Sequence, residues 1–198
     1  MTSPSDRRAL LRLARDAIVA HVTRAAAPVT HVCDATERPG AAFVTLHKSG
    51  DLRGCIGHVE ANEPLGGVIA RCAVAACSAD SRFPPVDASE LPTLDLELSL
   101  LGPLEPIAGP DDIEIGRHGL VVEMGWHRGL LLPQVASEWH WDRETFLAQT
   151  CHKAGLPSEA WKSGARLWRF EAEVFGEDLG NTKDTKDTKE ETGPRKRN

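Results

Sequence analysis

The sequence predicts an α+β protein, a mostly antiparallel sheet flanked by helices. Two observations carry that prediction. The chain reads helix, hairpin, helix, strand, hairpin, helix, strand, which is not a regular βαβ alternation. Its β-prone runs are joined by short loops containing Gly, as hairpins are.

Length and composition bound the rest. The chain has 198 residues, 41% hydrophobic and 26% charged, which suits one globular domain with a sizeable core. No apolar run reaches the roughly 18 residues of a membrane span, and the N-terminus lacks a signal-peptide pattern. The net charge of −6 offers no generic phosphate-binding surface, so neither membrane nor nucleic acid is an expected partner. Five scattered cysteines fit a reducing cytoplasm better than a disulfide scaffold. There is no GxGxxG, Walker A, HExxH or GxSxG motif, so the residues leave any cofactor unspecified.

The first helix is expected from Pro4 to Arg24, capped by Ser3 or Ser5, with Leu10, Leu11, Ala14, Ile18, Val19 and Val22 on one stripe. Ala25 to Gly40 reads as a connection. Within it, His31-Val32-Cys33-Asp34 has no partner pair at metal-ligand spacing, so no metal site is expected. Ala42–His47 and Leu52–His58 form a hairpin about Lys48–Asp51. Strict alternation would put Arg53, Cys55 and Gly57 on one face and Leu52, Gly54 and Ile56 in the core. A second helix is expected from Glu63 to Ala79, N-capped by Asn62, with Cys72 and Cys77 inward. Asp80 and Arg82 follow in a loop, read as a weak surface pair.

Leu94–Leu100 alternates with period two, leucines inward and Asp95, Glu97 and Ser99 outward. His118–Met124 and Leu130–Gln134 form a second hairpin about Gly125–Gly129. Asp142 N-caps a helix to Lys153 with Phe146, Leu147 and Cys151 inward, and a short helical turn follows at Ser158–Lys162. The last strand is Arg166–Phe175, with Trp168, Phe170, Ala172 and Val174 on one face. Residues 1–177 make the domain. The Thr-Lys-Asp repeats of 178–198 lack apolar residues and are expected to be a disordered charged tail.

Chemistry centres on Leu52-Arg53-Gly54-Cys55-Ile56-Gly57-His58. A guanidinium beside a thiol stabilises thiolate and lowers its pKa from about 8.5. A lone strand cysteine, however, is more often a packed small hydrophobe.

Several stretches together resemble the AMMECR domain family. They are Leu52-Arg53-Gly54-Cys55-Ile56-Gly57, then Ser81-Arg82-Phe83-Pro84-Pro85, Glu105-Pro106-Ile107, His118-Gly119-Leu120 and Leu131-Leu132-Pro133-Gln134-Val135-Ala136. Trp141-Asp142, Phe146-Leu147, Cys151-His152-Lys153-Ala154-Gly155-Leu156-Pro157 and Trp161 complete the set, in the family's order. The resemblance implies two unequal lobes and a groove near Arg53 and Cys55. It is similar to component A of the AmmeMemoRadiSam system, which implies Memo-like and radical SAM proteins as partners. The chain departs from the family at Ser81, where Pro is common, and at His58.

Two readings follow. In an enzyme, Cys55 would be nucleophile or redox thiol and Arg53 its cationic neighbour, with Glu97, His118 and Gln134 as acid, base and orienting groups. In a binding module, the groove would hold a small anionic ligand or a partner segment, with Arg53 and Arg82 as anchors, Gly54 and Gln134 beside them, and Cys55 packed.

Overall fold

The computed structural model describes residues 2–26 and 33–177. The expected tail and the His31-Val32 part of the metal fragment lie outside these residues. Helix α1 spans Pro4–Thr23, and the Ser3 side chain accepts the Asp6 N–H at its start. A short α2, Asp34–Glu37, falls in the expected connection. Strands β1 (Ala41–Lys48) and β2 (Asp51–His58) form the first hairpin. Its two-residue turn, Ser49-Gly50, has φ of 54° and 87°, the positive values that match the twist of paired strands.

Helix α3 is Leu65–Ser78, shorter than expected. Asn62 does not cap it, because the preceding segment is held elsewhere. Pro64 bridges Pro39, the Glu63 carbonyl accepts the Gly40 N–H, and the Arg38 carbonyl accepts the Leu65 N–H. Strand β3 is Leu94–Leu101, with β4 at Glu105–Pro106. Strands β5 (His118–Met124) and β6 (His127–Leu131) turn tightly at Gly125-Trp126. The strand expected to reach Gln134 stops early, since Pro133 opens helix α4, Pro133–Glu138. A proline at the first helical position lacks only an N–H that would have no partner there. Helix α5 is Arg143–Lys153, capped by Asp142, and β7 is Arg166–Gly176.

The strands make one antiparallel, seven-stranded sheet ordered β2-β1-β3-β7-β5-β6, with β4 also on β7. Two cores sit along it. In the larger, Leu10, Ala14 and Ile18 of α1 and Val68, Ile69, Cys72 and Ala76 of α3 cover Val44, Leu46, Leu94, Leu96 and Leu98. In the smaller, Phe146, Leu147 and Cys151 of α5 pack with Leu120, Val122 and Leu167. Two residues expected in the stripes lie outward: Val19 is 37% and Leu52 39% exposed. Strand β7 serves both lobes, with Leu167 in the smaller core and Phe175 against the larger.

Candidate functional site

The opposite face of β1, β2 and β3 carries the candidate site. Thr45 pairs with Cys55 on one side and Glu97 on the other, so a thiol, a hydroxyl and a carboxylate lie in one row across three strands. Adjacent strands lie about 4.8 Å apart, so the row is about 10 Å long. The next row runs Gly57, Phe43, Ser99, Val174. The Phe43 ring covers Gly57, where any β-carbon would collide with it. Helix α4 and the preceding turn overhang this face and make a groove of about 540 Å3. Its walls include Thr45, His47, Leu52, Cys55, Arg82, Glu97, Arg117, Leu132, Gln134, Glu138 and Val174.

Arg53 is not among them. Leu46 pairs with Gly54 but His47 with Leu52, so Arg53 is the extra residue of a β-bulge. A bulge breaks the alternation that would place Arg53 beside Cys55. Instead its guanidinium grips both oxygens of Glu90 at 3.0 and 2.9 Å and donates to the Pro84 carbonyl at 2.9 Å. Lys48 also donates to Glu90, at 2.9 Å. The bound cations hold the Glu90 carboxyl down to about 2. Gly54 faces away from the groove, where a β-carbon would overlap the Ala76 carbonyl of α3.

The Asp80–Arg82 pair proves structural and intimate rather than a loose surface contact. Asp80 is buried, its side chain 5% exposed. It accepts the Cys55 backbone N–H at 2.9 Å and Arg82 Nη2 at 2.6 Å. Arg82 Nη2 in turn reaches the Cys55 carbonyl at 3.4 Å. Strand β2 is an edge strand, so this pair satisfies the outward backbone groups of Cys55 as a neighbouring strand would. The Arg82 side chain, with the Cys55 and Arg82 N–H groups, holds the Asp80 carboxyl far below its ordinary value.

Cys55 itself is half-buried, and the Thr45 hydroxyl donates to its sulfur at 3.3 Å. Burial pushes the thiol up; the Thr45 bond and Arg82 offset this in part, while Asp80 and Glu97 add to it. The expected lowering by Arg53 is absent because Arg53 is spent on Glu90. Glu97 is raised as well, chiefly by burial, against the influence of His47. Among the described residues no hydrogen bond or ion pair reaches the Glu97 carboxylate within normal distance.

His118 does not line the groove. It is buried at the start of β5, and its Nδ1 accepts the Glu114 N–H at 3.0 Å. Burial, with Arg169 and Arg117 nearby, lowers its pKa and favours the neutral ring. Gln134 lines the groove from α4, so the site gathers Cys55, Glu97, Arg82 and Gln134 but not Arg53, Gly54 or His118. Thr45 and His47 join it though neither was singled out; both follow from the two-residue period of β1. No group of side chains fit to hold a metal ion occurs among the described residues. A second cavity of about 600 Å3 opens beside Gly40 and β7. Of its four carboxylates, Glu171 is matched by Arg117 and Glu173 by Arg7, while Asp6 and Asp34 make no ion pair among the described residues.

Comparison with known proteins places these features in a wider set. A family model described as AMMECR1 matches residues 11–175. A protein of Methanothermobacter thermautotrophicus is 44% identical over 185 residues, covering 89% of this chain and 96% of that protein. One of Thermococcus gammatolerans is 44% identical over 183 residues, covering 85% and 89%. The crystal structure of an uncharacterised protein from Pyrococcus horikoshii superposes with a TM-score of 0.80 at 40% identity, covering 85% of this chain and 90% of that one.

Proposed function

Because the chain belongs to the AMMECR1 family, we propose that it acts as a binding module whose groove over the Cys55–Thr45–Glu97 row takes a small ligand or a partner segment. One observation carries this reading: Glu97 is a half-buried carboxylate on the groove wall without a hydrogen-bond or ion-pair partner among the described residues. A polar group withdrawn from water without a partner is costly, and a bound molecule would supply the partner. The volume lies within the range of small-molecule sites, roughly 300–1,000 Å3.

Thiol chemistry at Cys55 is the alternative, and the surroundings favour it less. Thiolate is the nucleophile, whereas burial here keeps the proton on sulfur. The resemblance to AmmeMemoRadiSam component A further supports action beside Memo-like and radical SAM proteins, the groove receiving a product or a segment of one of them.

The test is amide chemical-shift mapping of the labelled protein during titration with a library of small metabolites and with peptides from those two proteins. Shifts clustered at Thr45, Cys55, Glu97 and Gln134 support the groove. Saturable shifts confined to the cavity beside Gly40 would move the site elsewhere.

A further inference from the structure

The charges of the groove point to the chemistry of its occupant. Besides the Cys55 thiol, five lining side chains carry or can carry charge: His47, Arg82, Glu97, Arg117 and Glu138. Both guanidinium groups are already matched. Arg82 is held by Asp80 at 2.6 Å. Arg117 is held by Glu171 at 2.7 Å and Glu114 at 3.1 Å. Glu97 and Glu138 have no ion pair among the described residues. The expectation of an anion anchored by arginines therefore reverses, since the unmatched charges are negative. His47 lowers the Glu97 pKa but makes no ion pair with Glu97 or Glu138.

The remaining lining is mixed: Thr45, Cys55 and Gln134 are polar, and Leu52, Leu132, Pro133, Val135, Ala172 and Val174 supply apolar wall. On the same sheet face, one row from Glu97, Ser99 Oγ is fully buried without a hydrogen-bond partner among the described residues. Resting on the groove reading above, we propose that the occupant is a small amphiphilic amine. Its ammonium group would lie against the Glu97 carboxylate and its hydrocarbon part against Leu132, Pro133 and Val174. A cation close to a carboxylate in a partly desolvated site gains far more than in bulk water, and three N–H donors suit an acceptor-only group.

The test compares three probes of one chain length: n-hexylammonium, n-hexanol and hexanoate. Each is titrated into the full-length protein and followed by amide shifts of Thr45, Glu97 and Val174. The expected result is saturable binding of n-hexylammonium at least tenfold tighter than that of hexanol or hexanoate. Glu97→Gln, with a melting temperature near wild type, should remove that tenfold preference while leaving hexanol binding unchanged. Hexanoate binding in the groove as tightly as n-hexylammonium would overturn the amine proposal but leave the groove standing as a binding site. Equal n-hexylammonium binding by Glu97→Gln would overturn it too. If no probe perturbs the groove, both the amine and the groove reading lose their support.

Discussion

The Thr45 hydroxyl donates a hydrogen bond to the Cys55 sulfur across the β1–β2 ladder, at 3.3 Å. That bond favours thiolate, yet burial outweighs it and the thiol pKa is raised. Alkylation of Cys55 should therefore be slow at neutral pH, with its rate inflecting above the ordinary thiol value of about 8.5. Thr45→Val should move the inflection higher still. Peptide mass spectrometry after timed iodoacetamide pulses across a pH series measures both, and an inflection below about 7.5 would reject the protonated thiol.

Asp80 stands in for a missing strand beside Cys55. Asp80→Ala leaves the Cys55 N–H and the Arg82 guanidinium without their partner. The expected cost is about 1–3 kcal/mol, read as a lower urea midpoint. Hydrogen exchange at the Cys55 amide should accelerate beyond what global destabilisation explains. An unchanged exchange rate would mean that this bond contributes nothing to the edge.

Acid should expose the same design. Glu90 is held down to about 2 and Asp80 is also lowered, so each folded-state value lies below its unfolded one. Their stabilisation is complete above the ordinary carboxylate range of roughly 4–4.5 and is lost as the pH falls, through about 2 for Glu90. Unfolding midpoints in urea should stay level from pH 7 to about 5 with respect to these groups and then drop. Glu90→Gln should lower the midpoint at pH 7 and flatten the drop. A variant that falls as steeply as wild type would assign the acid sensitivity elsewhere.

Gly54 has no room for a side chain, because α3 brings the Ala76 carbonyl against it. Gly54→Ala should cost about 1–3 kcal/mol through overpacking. At roughly 2–4 °C per kcal/mol for a chain of this size, the melting temperature should fall by several degrees. A wild-type melting curve would show that the helix moves aside freely.

Much of this architecture was legible in the sequence because it rests on local periodicity. Leu94, Leu96 and Leu98 go inward as period two requires, and Ser3 and Asp142 cap their helices. The site was only half legible. Glu97 and Cys55 reach one face because β1, β2 and β3 stay in register at Thr45. Arg53 does not, because the extra residue of a bulge has no signature in strand alternation, and Glu90, thirty-seven positions away, decides where it points. Gln134 and Glu138 overhang the groove through α4, a helix hidden in a stretch that reads as strand until Pro133 is seen to start it. His118 shows the opposite case: a histidine able to act as base is consumed by the Glu114 backbone.

The central claim is that the groove works by holding something, not by thiol attack. Val174 borders it and is 43% exposed, so Val174→Trp should fill the groove without disturbing either core. Complementation of a deletion strain by Val174→Trp and by Cys55→Ala, each checked for a wild-type melting temperature, tests the claim most directly. The account predicts that Val174→Trp fails and Cys55→Ala complements. Loss of complementation by a well-folded Cys55→Ala, with Val174→Trp still active, would contradict it.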